Sequence, residues 1–306
     1  MAEFMVKGQV IAPVKPFSAT GELLLDAFRE VLRWHINCGC GGFMVAGDNG
    51  EAWALTRDEL ALVTRTAKDE ARGRVPVFVG TSAITARETI ALSQLARDAG
   101  ADGLVVQPQS YVLNGTQEEI VRRYEAISKA VPLPMLLYNH PGRTGVNMTP
   151  DILAAVCDVS PVVGLKEASD NFLQLSQIIE RFSDRFAVLT GPAHYIIPGI
   201  LLGAVGYIST GPELLGKEAP KILAVDKMSI PERRDLHSRI TGLFQAVQFT
   251  GTRPAGIKAA LNMLGLPAGI PREPLLPLNA AGVAKVRDAL VRYCALPSAD
   301  QRNAAE

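Results

Sequence analysis

Eight short apolar runs, each followed by a stretch of helical periodicity, constrain this chain more than anything else in it. The runs occupy residues 9–14, 42–46, 75–80, 103–107, 135–138, 162–166, 187–190 and 206–209. They are continuous rather than alternating, which is the pattern of strands covered on both faces. Between them, residues 23–36, 57–71, 86–99, 117–130, 149–156, 172–182 and 193–202 carry apolar positions at helical spacing. Strand then helix, repeated, requires parallel crossovers, and eight such units predict a (β/α)8 TIM barrel. An open sheet binding a dinucleotide should show GxGxxG after its first strand, and Pro13-Val14-Lys15-Pro16-Phe17 offers nothing like it. After the eighth run only helical patterns follow, over 212–226, 231–249, 254–264 and 279–295. The expected organisation is therefore a catalytic barrel, 1–226, and a C-terminal helical extension, 227–306. Residues from about Ser298 are small and polar, and are expected to fray.

Charge excludes several functions. Lys plus Arg and Asp plus Glu are both 31, so no net field favours nucleic acid or an anionic membrane, and any charged ligand must be recognised locally. The N-terminus has no apolar signal region and no apolar segment approaches ~18 residues, so neither export nor a membrane span is expected. The four cysteines (Cys38, Cys40, Cys157 and Cys294) form no CxxC pair, and a reduced, cytoplasmic protein is the simpler reading. Cys38-Gly39-Cys40 with His35 could hold a soft metal, but small residues in a tight helix-to-strand turn explain it better, and no metal is assigned.

In a barrel of this kind the chemistry sits where the strands end, so the residues following each run are the informative ones. The first run ends at Lys15 and the second enters Gly47-Asp48-Asn49-Gly50-Glu51. The fourth enters Pro108-Gln109-Ser110-Tyr111, and the fifth ends Tyr138-Asn139-His140-Pro141 before Gly142-Arg143-Thr144-Gly145. The sixth ends at Lys166 and the eighth enters Ser209-Thr210-Gly211. Lys166 is the odd residue: a lysine closing the buried run Val162-Val163-Gly164-Leu165. Desolvation there disfavours its ammonium form and leaves neutral amine near pH 7, which attacks carbonyls. Each candidate also has a plain structural explanation. Lys166 can pair with Glu167 or reach water, Tyr138 can be a packed aromatic, and Arg143 a solvated loop cation.

Four motifs, in order, carry a resemblance that covers nearly the whole chain. They are Gly47-x-x-Gly50-Glu51, Tyr138-Asn139-x-Pro141, Gly164-x-Lys166-Glu167 and Gly206-x-Ile208-Ser209. The stretch Arg253-Pro254-Ala255-Gly256-Ile257-Lys258 adds a fifth match near the C-terminus. With these, the chain resembles the pyruvate-dependent Schiff-base lyases that include dihydrodipicolinate synthase and N-acetylneuraminate lyase. The resemblance implies a (β/α)8 lyase or aldolase acting on a 2-oxo acid, with no metal or organic cofactor, assembled as a homotetramer, often a dimer of dimers. It implies an imine on Lys166, with Tyr138 as acid/base. It also implies a carboxylate held by backbone N–H groups of Asp48, Asn49 and Gly50, and a site lined by Ile208. Arg143 would bind a second carboxylate. Dihydrodipicolinate synthase itself, a dehydratase or deaminase on the same imine, and a catalytically silent ligand-binding relative remain alternatives.

The departures from the family pattern define the open positions. Two hydroxyl residues are usual where this chain has Asp48 and Asn49, and threonine where it has Lys15. A Lys15–Asp48 ion pair at the rim is therefore expected. The synthase branch has two tyrosines after the proline that here precedes Gln109-Ser110, with Tyr111 displaced. Sialate lyases use acidic residues after the seventh strand, and Pro192-Ala193-His194 supplies none. Lys15, Ser110, Tyr111 and His140 are thus the candidate modulators of specificity.

Overall fold

The computed structural model describes residues 5–113 and 115–294, and within them eight parallel strands close into a barrel in chain order. The strands are β1 (Gly8–Ile11), β2 (Gly42–Val45), β3 (Val77–Gly80), β4 (Gly103–Val106), β5 (Met135–Asn139), β6 (Val162–Glu167), β7 (Ala187–Thr190) and β8 (Gly206–Tyr207). The barrel shuts where Gly8 faces Gly206 and Gln9 faces Tyr207. A Cβ on Gly206 would lie 2.2 Å from the Gly8 carbonyl oxygen, so only glycine permits that seam.

The helices that return the chain are α1 (Leu25–Asn37), α2 (Arg57–Ala71), α3 (Ala86–Asp98), α4 (Gln117–Ala130), the single turn α5 (Pro141–Thr144), α6 (Pro150–Cys157), α7 (Phe172–Phe182) and α8 (Ile196–Leu202). Their starts are encoded locally. Thr56 and Glu59 close a capping box at α2, Thr116 and Glu119 another at α4, and Thr149 accepts from Ile152 N–H ahead of Pro150 at α6. The barrel interior is filled by Val10, Met44, Phe78, Val105, Leu136, Tyr138, Leu189 and Ile208. A second layer of apolar residues, Phe28, Leu32, Phe43, Val45, Leu104 and Ile127 among them, seals strands against helices.

Three sequence expectations shift. The first strand stops at Ile11 rather than at residue 14, because Pro13 and Pro16 cannot donate to a ladder. The helix expected over 193–202 is a 3-10 turn, Ala193–Tyr195, leading into α8. The segment expected as a helix over 212–226 runs as 3-10 turns from Pro212 to Lys227, broken at Gly216 (φ 56°, ψ −126°) and carrying Pro220, which offers no N–H. The Cys38-Gly39-Cys40 stretch is the tight turn from α1 to β2, with Gly39 at φ 83°.

The extension contributes α9 (Ile230–Gln248), α10 (Ala255–Met263) and α11 (Ala280–Tyr293), packed with the Pro212–Lys227 segment around Leu236, Ile240, Leu243, Ile257, Leu261, Val286 and Leu290. The fraying expected from Ser298 lies outside the described residues. Among those residues no helix is long and apolar enough to cross a membrane.

Candidate active site

Tyr138 and Lys166 face each other on the paired strands β5 and β6, which places Lys166 Nζ 4.0 Å from the centroid of the Tyr138 ring. Burial pulls the Lys166 pKa down to about 8; the Asp48 carboxylate opposes this, while Arg143 and Arg253 push it further down. The Lys166–Glu167 pairing is absent among the described residues. Glu167 turns the other way, accepting from Asn139 Nδ2 (2.9 Å) and Ser169 N–H (2.7 Å), and so pins the ends of β5 and β6 behind the lysine.

The phenol of Tyr138 donates to Asp48 Oδ2 at 3.2 Å, and the same oxygen lies 2.8 Å from Arg143 Nε. Burial, followed by the Asp48 charge, raises the Tyr138 pKa well above its ordinary value, so the phenol holds its proton. Tyr138, Asp48 and Arg143 thus form one connected chain at the mouth of the barrel.

The expected Lys15–Asp48 pair does not form. Lys15 is fully buried and its Nζ donates to the Pro13 carbonyl at 2.8 Å, beneath the 47–51 turn, where Glu51 is the carboxylate that acts on it. Burial lowers its pKa to about 7. Glu51 itself is paired with Lys258, and its Oε1 accepts the Arg272 N–H at 2.7 Å. Asp48 faces across the barrel mouth instead, and its counter-charge comes from the loop after β5.

The 47–51 turn is tight. Gly50 N–H donates to the Gly47 carbonyl (3.1 Å), which removes it from the expected carboxylate cradle, whereas the N–H groups of Asp48 and Asn49 have no partner among the described residues. A Cβ on Gly50 would stand 2.7 Å from Lys15 Nζ, so the lysine below requires glycine above. Left-handed backbone at Ala46 (φ 57°) and Glu51 (φ 49°) brackets the turn, strain of the kind that surrounding structure must hold in place. Asn49 Nδ2 donates to Thr210 Oγ1 (2.6 Å), tying the turn to the end of β8.

A cavity of about 510 Å³ opens above Lys166. Its floor is made by Asp48, Asn49, Tyr138, His140, Lys166 and Ile208, all expected from the sequence. Burial lowers the His140 pKa to about 4, so its ring is neutral at pH 7. Ser110 and Tyr111 do not line the cavity, and Tyr111 is 85% exposed at φ 70°. Arg143 stands behind Asp48 and does not line it either. The upper wall was not expected: His194, Thr241, Phe244, Gln245, Gln248, Phe249 and Arg253 come from the 3-10 turn after β7 and from the helical extension. Arg253 lies in a stretch matched by resemblance, but no local signal says that α9 folds back over the barrel.

A closed (β/α)8 barrel whose cavity rests on a buried lysine beside a tyrosine on the adjoining strand is the architecture of a class I aldolase-type lyase. The family model for the dihydrodipicolinate synthetase family matches residues 5–292, and the chain belongs to that family. It is 36% identical over 293 residues to a 4-hydroxy-tetrahydrodipicolinate synthase of Neisseria gonorrhoeae, covering 94% of this chain and 98% of that one. A dihydrodipicolinate synthase from Thermotoga maritima superposes with a TM-score of 0.89 at 29% identity, covering 95% of this chain and all of that one (100%). A prophage protein of the same family from E. coli K12, solved in complex with pyruvate, superposes with a TM-score of 0.87 at 28% identity, covering 94% and 98%.

Proposed function

We propose that the enzyme cleaves or forms a C–C bond in a 2-oxo acid of the pyruvate type through an imine on Lys166. The observation that carries this reading is the buried amine of Lys166, its pKa lowered to about 8, set 4.0 Å from the ring of a tyrosine that keeps its proton. Neutral Nζ attacks the keto carbon to give a carbinolamine. The carbinolamine oxygen takes a proton from the Tyr138 phenol and leaves as water, and the iminium remains on Lys166. The bond at C3, to hydrogen or to carbon, then breaks and its electron pair flows into the iminium, giving the enamine. When a C–C bond breaks, the proton of the departing hydroxyl passes to Tyr138 and on to Asp48 Oδ2, which Arg143 holds in place. Protonation at C3 and hydrolysis of the iminium return the lysine. The unpartnered N–H groups of Asp48 and Asn49 suit the 2-oxo acid carboxylate, and Ile208 packs beside it.

A second reading, dihydrodipicolinate synthase or a dehydratase or deaminase on the same imine, is favoured by the names of the relatives. The absence of Ser110 and Tyr111 from this chain's cavity, and the acidic replacement at Asp48, favour the lyase or aldolase.

The same reading includes a cytoplasmic homotetramer, a dimer of dimers, with the division of the chain at 226/227. Free cysteines fit a reducing compartment. The exposed apolar run Tyr111, Val112 and Leu113 suits a subunit contact. The enamine is tested by proton exchange: in D2O the enzyme should deuterate the methyl group of pyruvate, observed by NMR, and Lys166→Ala should not. Undiminished exchange in that variant contradicts the proposal.

A further inference from the structure

The cavity is far larger than a three-carbon acid requires, and its upper half holds one arginine. Arg253 sits between α9 and α10, half-buried, and forms no ion pair among the described residues. With the Gln248 amide turned so that its oxygen faces the guanidinium, that oxygen accepts from Nε at 3.1 Å and from Nη1. This neutral partner orients the side chain, and the charge has no direct ion-pair partner among the described residues, the Asp48 carboxylate acting on it only at a distance. Arg143, to which the family resemblance assigns a second carboxylate, is already neutralised by Asp48 at 2.8 Å and stands outside the lining.

Two carboxylates line the cavity. Asp48 is the one paired with Arg143, and Asp170 is exposed at the rim. Other lining groups also lack partners. Ser209 Oγ and His140 Nδ1 are buried without hydrogen bonds among the described residues, and the paired rings of Phe244 and Phe249 line the same cavity as Arg253. A half-buried cation without an ion-pair partner is favoured by an anion that completes it.

We propose that Arg253 is a specificity residue that holds an anionic group, a carboxylate, on the second reactant or second half of the substrate, with Phe244 and Phe249 against its carbon chain. This rests on the imine reading, which fills the carboxylate cradle at Asp48 and Asn49 with the 2-oxo acid and leaves Arg253 for the distal end.

The test separates the two claims. Enzyme is treated with pyruvate and borohydride, so that a reduced pyruvyl group occupies Lys166 and the cradle, and is then titrated by calorimetry with butyrate and with its neutral isostere butyramide. Butyrate should bind the wild-type adduct at least about tenfold more tightly than butyramide, a preference that Arg253→Gln loses and Arg253→Lys keeps in part. Adduct formation by Arg253→Gln reports that the variant is folded with an intact floor. If the adduct forms but the wild type prefers neither ligand, or binds neither, the assignment to Arg253 is wrong. A preference lost in Arg143→Gln and retained in Arg253→Gln overturns it as well, and returns the second carboxylate to Arg143. If no adduct forms on the wild type, the imine reading fails first and this inference falls with it.

Discussion

Asp48 accepts the phenolic hydrogen of Tyr138 at 3.2 Å, joining a loop after β2 to the end of β5 across the mouth of the barrel. The same carboxylate oxygen takes Arg143 Nε at 2.8 Å, so the Tyr138 hydroxyl is hydrogen-bonded to a base that is itself fixed by a counter-charge. Tyr138→Phe removes the donor and Asp48→Asn removes the base. Each should lower turnover by about a hundredfold or more while still allowing slow trapping of pyruvate by borohydride. Steady-state kinetics beside trapping rates measures this. A fully active Tyr138→Phe would move the acid/base role to Asp48 or His140.

The rate of imine formation should follow the ionisation of Lys166. Burial lowers its pKa from 10.5 to about 8, so below that pH the amine is mostly protonated and unreactive. The trapping rate at saturating borohydride should therefore rise about tenfold per pH unit below 8 and flatten above it. A rate still climbing toward pH 10 would show an ordinary, solvated lysine.

What could be read from the chain follows a physical division. Strands, helix caps and the lysine closing β6 are local patterns, and the apolar runs located every strand to within a few residues. Lys15 illustrates the limit: its neighbours in sequence do not say whether its side chain points to the mouth or beneath the 47–51 turn. Beneath the turn Lys15 meets the Pro13 carbonyl and the Glu51 carboxylate, and Glu51 is in turn paired with Lys258, which arrives from α10 more than 200 residues later. Arg253, Phe244 and Gln248 were hidden for the same reason, since they reach the site only because the extension packs back over the barrel. The carboxylate of Asp48 calls for a cation, and Arg143 rather than Lys15 supplies it.

The Glu51–Lys258 pair is essentially inaccessible to solvent at both ends, and Lys258 also donates to the Ile270 carbonyl at 2.7 Å. Lys258→Met would leave a buried carboxylate without its ion-pair partner, with Lys15 and the Arg272 N–H remaining beside it, and should destabilise the fold by about 3 kcal/mol. Urea denaturation at pH 7 measures it, and a loss under about 1 kcal/mol would show that water or Lys15 fully replaces the missing ammonium.

Glu213 provides a pH test away from the site. It is buried with Oε2 unpartnered, and burial pushes its pKa up from 4.5 to about 7. A pKa higher in the folded than in the unfolded state means that the folded protein binds the proton more tightly. The contribution of this group is full below pH 4.5 and is lost as pH rises through about 7. Glu213→Gln keeps the shape without the charge, so it should stabilise the protein at pH 8 by on the order of 2 kcal/mol and have little effect near pH 4. Equal effects at both pH values would show that Glu213 is not titrating in the folded state.

The central claim, that Lys166 is the nucleophile, is tested most directly by incubating the enzyme with pyruvate and borohydride and mapping the product by mass spectrometry. The account predicts a single reduced pyruvyl adduct on the peptide containing Lys166, absent in Lys166→Ala. No adduct, or an adduct on Lys15 or Lys258 with Lys166 unmodified, would contradict it.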